Sequence, residues 1–122
     1  MKRPEEALQR LCVDYATRAY PKLILFAVTN QKGTRTAIEM GVLKSMGAKP
    51  GVSDLILCLP DGRFAAIELK APKGRLSDSQ SDFLAAVELT GGYTAVVRSF
   101  DEFVAALERW LAPLNWVARV RL

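Results

Sequence analysis

The chain has 122 residues, of which half are hydrophobic and a quarter are charged. This balance predicts one folded domain over residues 1–122 and excludes long disorder or a fibrous repeat. The chain contains no histidine, which excludes histidine-based zinc sites and serine–histidine or cysteine–histidine nucleophile pairs. Any metal site has to use oxygen ligands, a set that favours magnesium or manganese. The net charge of +4 suits a polyanionic partner but does not by itself indicate one.

The sequence has no apolar run long enough for a transmembrane helix, and its first residues lack the apolar segment of a signal peptide. We therefore expect a cytoplasmic protein without a membrane partner. Cys12 and Cys58 lie in apolar stretches that are far apart in the sequence. This placement predicts two buried free thiols rather than a disulfide or a metal pair.

The first part of the chain contains two predicted helices and one predicted strand. Pro4 and the two glutamates after it begin a helix that runs to about Tyr20, with one apolar stripe facing a sheet. Residues 23–28 form a short apolar run that is typical of a buried strand. The polar residues 29–34 leave this strand, and a second helix is predicted over residues 35–46.

A hairpin and a crossover are predicted next. Residues 54–59 and 64–70 are apolar strands joined by Pro60-Asp61-Gly62, a pattern suited to a three-residue turn. The first of these strands is expected to be covered on both faces. Ser77 begins a helix through a capping box, and residues 93–97 form a strand parallel to its neighbour.

The end of the chain contains a last predicted helix. Ser99 and Glu102 repeat the capping-box spacing before a helix that runs through Leu111. Residues 114–122 carry no pattern that assigns a structure.

The turn also sets the register of the hairpin. With residues 60–62 as the loop, Asp54 lies opposite Glu68 on the same face, with Cβ atoms ~4.5–5.5 Å apart, and Lys70 shares that face. Two opposed carboxylates repel each other unless a positive charge lies between them. A divalent cation would supply this charge, with both carboxylates and the backbone carbonyl of Leu69 as its ligands. Such a cation polarises a phosphoryl group, while the ammonium orients the nucleophile or offsets charge. The predicted chemistry is phosphodiester hydrolysis.

An alternative is that Glu68 and Lys70 are ordinary charges on the solvent face of a hairpin, the usual role of an isolated Glu-x-Lys tripeptide. The sequence context argues against this alternative. The pair ends an apolar strand, follows a strand begun by Asp54 and precedes the basic loop Lys73-Gly74-Arg75.

Three segments together resemble the virus-type replication-repair nuclease (VRR-NUC) domain, a branch of the PD-(D/E)XK nucleases. They are Gly-Val-Ser-Asp at 51–54, Ile-Glu-Leu-Lys at 67–70 and Leu-Ser-Asp-Ser-Gln at 76–80. The similarity runs from the first helix to the strand at 93–97. It implies an α/β, restriction-endonuclease-like (PD-(D/E)XK) core with a mixed central β-sheet flanked by α-helices. It also implies a Mg²⁺- or Mn²⁺-dependent endodeoxyribonuclease with no organic cofactor.

The resemblance assigns roles to individual residues. It implies that Asp54 and Glu68 bind the Mg²⁺ or Mn²⁺ ion and that Lys70 is the catalytic lysine. Gln80 matches a glutamine of the family, either in the active site, or in the capping box, or in both. Ser53 stands where the superfamily name has proline, and it supplies no ligand in this chemistry.

The family also has an acidic residue on its first helix, and Glu5 and Glu6 both match it. At ~100° per residue, Glu5 falls about 60° from Leu8, beside Cys12, whereas Glu6 falls near 160°. Glu5 is therefore the candidate that faces the sheet and the metal. The alternative is that both glutamates simply stabilise the helix N-terminus.

Polar and basic residues outside the motifs are candidates for binding DNA. By analogy with a polar loop of the family, we expect Asn30 and Lys32 to contact the substrate, and Arg35, Lys73 and Arg75 to contact phosphates. For each basic residue the alternative is an ordinary solvated surface.

Stand-alone domains of this family resemble homodimeric resolvases of four-way DNA junctions. The resemblance therefore implies a homodimeric Holliday-junction endonuclease that acts in DNA repair or recombination, in a bacterium or a bacteriophage-infected cell. Two alternatives stay open: a flap, single-strand or restriction-like endonuclease with the same site, and a non-catalytic DNA-binding module on a nuclease scaffold. Trp110 and Trp116 fit either a subunit interface or a core.

Overall fold

The computed structural model describes residues 4–28 and 36–120. The helices are α1 (Pro4–Ala19), α2 (Ala37–Ser45), α3 (Asp78–Leu89) and α4 (Phe100–Leu111), followed by a short 3-10 helix (Ala112–Leu114). The strands are β1 (Ile24–Ala27), β2 (Leu55–Cys58), β3 (Phe64–Leu69) and β4 (Tyr93–Val97).

The four strands form one mixed sheet in the order β1-β2-β3-β4. β1 pairs with β2 and β2 pairs with β3 in antiparallel fashion, whereas β4 lies parallel to β3. The parallel pair is connected by α3, because parallel neighbours need a crossover and a two-residue turn cannot join them. The predicted α/β fold, a mixed central sheet flanked by helices, is confirmed.

The larger core lies between the sheet and the helices α1 and α4. Alternate residues of the central strands, such as Leu55, Leu57 and Ile67, are buried there with the apolar stripes of both helices. Trp110 is buried in this core, and its ring stacks on that of Tyr93 with centroids 5.8 Å apart. The sequence had left open whether this tryptophan belongs to a core or to an interface, and the structure places it in the core.

The segment after α4 returns to this same core. Trp116 is partly buried against it, as are Ala118 and Val120. The backbone amide of Arg119 donates to the carbonyl of Ala19 at the end of α1, at 2.9 Å. The part of the tail that the structure describes therefore closes the α1–α4 layer.

The opposite face of the sheet is only partly covered. α3 buries Ile56 and Ala66 there against its own apolar residues. On the β1 side of this face, Ile24 is 59% exposed and Phe26 is 49% exposed. The prediction that residues 23–28 form a buried strand is therefore wrong, because β1 is an edge strand that α3 does not cover.

Cys58 lies on this same uncovered part of the sheet. It pairs with Ile24 on one side and with Phe64 on the other, and it is exposed. The expected burial of Cys58 is therefore wrong, and so is the coverage of β2 on both faces at this end. Cys12 is buried as expected, and both thiols are free.

Helix α2 begins with a capping box that Thr36 and Glu39 form. It buries none of its residues, and its apolar side chains Ile38, Met40 and Val42 are exposed. Among the helices that the structure describes, none is long and apolar enough to cross a membrane.

Candidate active site

The hairpin register brings the two candidate carboxylates together. The amide of Leu59 donates to the carbonyl of Arg63 at 2.8 Å, which closes the turn as predicted. Leu55 then pairs with Ile67, the last Cα pair recorded between these strands. One further step places Asp54, just before β2, opposite Glu68. The register predicted from the turn is confirmed.

The carboxylate of Asp54 is held by the backbone of the neighbouring strand. Its Oδ2 accepts a hydrogen bond from the amide of Leu69 at 2.8 Å. This contact takes the place of a strand hydrogen bond and fixes the orientation of the carboxylate. In the described part of the chain, the Oδ1 atom of this half-buried residue accepts no hydrogen bond. Asp54 is therefore oriented through one oxygen, while the other can serve as a ligand.

The carboxylate of Glu68 is held by the first turn of α3. Only 3% of Glu68 is exposed, and its Oε1 accepts a hydrogen bond from Nε2 of Gln80 at 2.9 Å. A buried carboxylate costs free energy unless it is hydrogen bonded and balanced by positive charge. The partial positive charge of the α3 N-terminus contributes in this direction.

Gln80 contacts both the carboxylate and the helix cap. Its Oε1 accepts from the amide of Ser77 at 2.9 Å, and its own amide donates to Oγ of Ser77 at 3.2 Å. These two bonds complete the predicted capping box. The remaining end of the same side chain donates to Glu68. Gln80 therefore caps α3 and contacts Glu68 through one side chain, and the cap fixes the amide that orients the carboxylate.

A close backbone approach at Gly51 joins this cap to the segment that carries Asp54. A Cβ atom added to Gly51 would lie 2.1 Å from the carbonyl oxygen of Ser79 and 2.8 Å from the amide nitrogen of Gln80. The φ angle of Gly51 is +79°, a conformation that favours glycine. The glycine of the sequence motif therefore allows the chain before β2 to pack on the start of α3.

Lys70 follows β3 at the same end of the sheet as the two carboxylates. Its amide donates to the carbonyl of Val97 at 3.0 Å, and its side chain is half-buried. The next four residues form a turn in which the amide of Gly74 donates to the carbonyl of Ala71 at 2.9 Å. A Cβ atom on Gly74 would lie 3.5 Å from Cδ of Lys70. The stem of the lysine therefore runs along this turn.

The residues predicted to contact the substrate or its phosphates fall into two groups. Lys73 lies in the turn and Arg75 follows it, and both side chains are exposed. Asn30, Lys32 and Arg35 lie outside the described residues.

The structure does not bring Glu5 to the two carboxylates. Glu5 is half-buried and Glu6 is exposed, which agrees with the helix phase. However, α1 packs on the face of the sheet opposite α3, whereas Glu68 bonds to α3. Among residues 4–28 and 36–120, no three aspartate, glutamate or cysteine side chains are grouped so that they could hold a metal. The expected third carboxylate is therefore not gathered with Asp54 and Glu68.

Sequence reasoning missed Arg98, which follows β4. Its Nη1 donates to the carbonyls of Ala71 at 2.9 Å and Gly74 at 2.6 Å. Composition gives no signal for this residue among 17 lysines and arginines. Topology does give one, because parallel strands end side by side and the residue after β4 must lie near the residue after β3.

The arrangement suits a hard divalent cation. Asp54 and Glu68 are opposed carboxylates at one end of the sheet, and Leu69, whose amide donates to Asp54, directly follows Glu68. Oxygen donors are the ligands that magnesium and manganese prefer. The residues present therefore fit such an ion, with the carbonyl of Leu69 as the further ligand expected from the sequence.

Comparisons with known proteins agree with this fold. The family model described as VRR-NUC domain matches residues 4–101. A solved structure described as a VRR_NUC domain protein superposes with a TM-score of 0.67 at 18% identity, over 92% of this chain and 91% of that chain. No curated protein matches the sequence. Since the family model covers most of the chain, the protein belongs to the VRR-NUC domain family, a group of PD-(D/E)XK-type nucleases.

Proposed function

We propose that the protein is a divalent-metal-dependent DNA endonuclease that hydrolyses phosphodiester bonds, with four-way junctions as its preferred substrate. The observation that carries the proposal is the opposition of Asp54 and Glu68 across β2 and β3, each held by its own hydrogen bond. Lys70 follows Glu68 by two residues at the same end of the sheet.

Each of these residues has a defined task in the proposed reaction. Asp54 and Glu68 hold a Mg²⁺ or Mn²⁺ ion, with the carbonyl of Leu69 as a third ligand. When bound, the ion supplies a polarised phosphate and a water of lowered pKa. Lys70 places its ammonium beside the phosphate, where it orients the attacking water and offsets the negative charge of the transition state. Gln80 keeps the Glu68 carboxylate in place.

The charge of the surface supports a nucleic-acid substrate. The chain has a net charge of +4, and Lys73 and Arg75 are exposed just after the catalytic lysine. Exposed lysine and arginine side chains beside a phosphate-cleaving site attract the DNA backbone and position it without reading its sequence. The preference for a junction is taken from the family.

We further propose that the active enzyme is a homodimer whose second copy covers the β1 side of the sheet. Ile24 and Phe26 are exposed on this edge strand, next to the exposed Cys58 and Phe64. An edge strand offers unpaired backbone groups to another strand. A two-fold axis pairs identical strands in antiparallel fashion and brings the same apolar patch of both copies together. A dimer also suits a junction, which requires two cuts.

Cleavage assays test the proposed activity. Wild-type protein is incubated with Mg²⁺ or Mn²⁺ and with four-way junction, flap, duplex and single-stranded DNA of matched length. We expect metal-dependent cutting that is fastest on the junction. Equal cutting of plain duplex would contradict the junction preference, and cutting only of flaps or single strands would assign one of the other specificities. A lack of metal-stimulated cutting on every substrate would favour a non-catalytic DNA-binding module.

Variants test the assigned residues. Asp54→Ala and Lys70→Ala should abolish cleavage while DNA binding is largely retained. Asp82→Ala and Lys44→Ala are the matched controls, because both are exposed helix residues with no role in the proposed site. A loss of cleavage in the controls equal to that in the site variants would contradict the assignment.

Sedimentation equilibrium tests the homodimer. Phe26→Asp should convert the dimer to a monomer, because it places a charge in the centre of the apolar interface. Leu89→Asp is the control, since Leu89 is 90% exposed on α3 and lies outside the patch. A monomeric wild type, or a dimer that survives Phe26→Asp, would contradict the proposed interface.

A further inference from the structure

Arg98 is anchored to the turn that follows the catalytic lysine. Its Nη1 donates to the carbonyl oxygens of Ala71 and Gly74 at 2.9 and 2.6 Å, and it lies 3.4 Å from that of Pro72. These carbonyls belong to one tight turn, so a single guanidinium nitrogen lies against three carbonyl oxygens of the same turn. A charged donor strengthens such hydrogen bonds relative to a neutral one.

The backbone of Arg98 is fixed as well. Its amide donates to Oε1 of Glu102 at 2.8 Å, and Glu102 in turn lies in the first turn of α4. The carbonyl of the preceding residue, Val97, accepts a hydrogen bond from the amide of Lys70 at 3.0 Å. The arginine is therefore held at both sides by regular structure, and it can act as a rigid support for a turn that has no regular structure of its own.

The turn of residues 71–74 lies beside the side chain of Lys70. A Cβ atom on Gly74 would lie 3.5 Å from Cδ of Lys70, an ordinary van der Waals distance. The lysine side chain therefore packs along the turn, whose carbonyl oxygens Arg98 binds. The same turn therefore accepts hydrogen bonds from Arg98 and lies beside the stem of Lys70.

We propose that Arg98 is a positioning residue, which holds the Ala71–Gly74 turn so that the Lys70 ammonium stays at the reacting phosphate. This inference rests on the proposed nuclease function. It assigns Arg98 no contact with substrate. Misplacement of a catalytic group by about 1 Å can cost ~100-fold in rate, so an effect on turnover is expected even though Arg98 itself does not react.

The first experiment measures the turn without using activity. Trypsin cleaves after Lys73 and Arg75, which lie in and just after the turn. Under native conditions, Arg98→Ala should be cut at these positions faster than wild type, and Arg98→Lys should recover part of the resistance because its ammonium can still donate. Arg63→Ala is the matched control, because this exposed arginine instead donates to the hydroxyl of Tyr93, at 2.6 Å. Equal cutting of wild type and Arg98→Ala would overturn the inference.

The second experiment measures the reaction. Arg98→Ala should lower kcat by about 10- to 100-fold with a nearly unchanged KM, and Arg98→Lys should restore part of the kcat. Arg63→Ala should change neither parameter. An Arg98→Ala enzyme with wild-type kcat would overturn the positioning role. If wild type itself cuts no DNA, the proposed function fails, and the trypsin measurement alone then decides whether Arg98 anchors the turn.

Discussion

Substitution of Gly51 by alanine tests the close approach that joins the two halves of the site. The added Cβ would lie 2.1 Å from the carbonyl oxygen and 2.3 Å from the carbonyl carbon of Ser79. Both atoms belong to the backbone of α3, which cannot rotate away as a side chain can. The first turn of α3 must therefore move away from the segment that carries Asp54.

The stability lost in Gly51→Ala has two contributions, one from backbone conformation and one from overpacking. An alanine in the left-handed conformation costs about 1–2 kcal/mol, and Gly51 has φ +79°. Overpacking against a fixed backbone adds about 1–3 kcal/mol. At ~2.1 cal/mol/K of unfolding entropy per residue, each kcal/mol lost from the free energy of unfolding lowers Tm by about 4 °C in a chain of 122 residues. Gly51→Ala should therefore lower Tm by about 8–20 °C.

A second glycine, Gly91, separates the conformational cost from the overpacking cost. Gly91 has φ +88°, and a Cβ added to it would meet nothing within 4 Å. Gly91→Ala should therefore show only the conformational cost, about 4–8 °C in Tm. Thermal unfolding followed by circular dichroism measures both variants. A Gly51→Ala variant that is no less stable than Gly91→Ala would refute the contact between this segment and α3.

Four further predictions follow from the described contacts. Gln80→Glu retains a side chain that can cap α3 but places a second carboxylate against Glu68. Urea unfolding should therefore show a free energy of unfolding that is lower by about 1–3 kcal/mol at pH 7 and recovers at acidic pH. A loss independent of pH would contradict the contact. Ser53→Ala should leave stability unchanged or raise it by up to ~2 kcal/mol, because the buried hydroxyl has no hydrogen-bond partner within the described residues; a clear loss in chemical denaturation would contradict this. Ellman's reagent should titrate one thiol, the exposed Cys58, in the native protein, and should reach Cys12 only after unfolding; two equivalents in the native state would contradict the fold. Burial raises the pKa of Cys12 from 9.0 to about 12, so this thiol ionises at lower pH in the unfolded chain than in the folded protein. The free energy of unfolding should therefore fall between pH 9 and pH 12, by up to ~1.4 kcal/mol per pH unit. Constant stability across this range would contradict that burial.

The pairing of Asp54 with Glu68 could be predicted from the sequence because one local feature decides it. The Pro60-Asp61-Gly62 turn fixes the register, and the register propagates along both strands without further information. The same reasoning gave the capping box at Ser77, since its geometry needs only residues that are close in sequence. Local patterns are therefore sufficient for the carboxylate pair and its cap.

The covering of the sheet could not be predicted in the same way. The apolar run around Ile24 fits a buried strand and an exposed edge equally well, because periodicity does not say which neighbours cover it. Cys58 was expected to be buried for the same reason, and it is exposed. An exposed apolar edge strand and a buried strand therefore have the same local residue pattern.

The individual side-chain contacts around Arg98 also escaped prediction. Glu102 has the spacing of a capping box with Ser99, and its amide does bond to Oγ of Ser99 at 3.2 Å. Its carboxylate, however, accepts from the amide of Arg98. The anchoring of the turn by Arg98 depends on the parallel pairing of β3 and β4. The sequence predicts this pairing, but it does not show which basic residue contacts the turn after β3.

Calorimetric titration with Mn²⁺ tests the central claim most directly, namely that Asp54 and Glu68 together hold a divalent cation. Wild-type protein should bind the ion with a saturable heat, and Glu68→Gln and Asp54→Asn should each lose most of it. Asp82→Asn should bind like wild type, and circular dichroism checks that each variant is folded. Equal heats from wild type and from folded Glu68→Gln and Asp54→Asn proteins would contradict the assignment of the site.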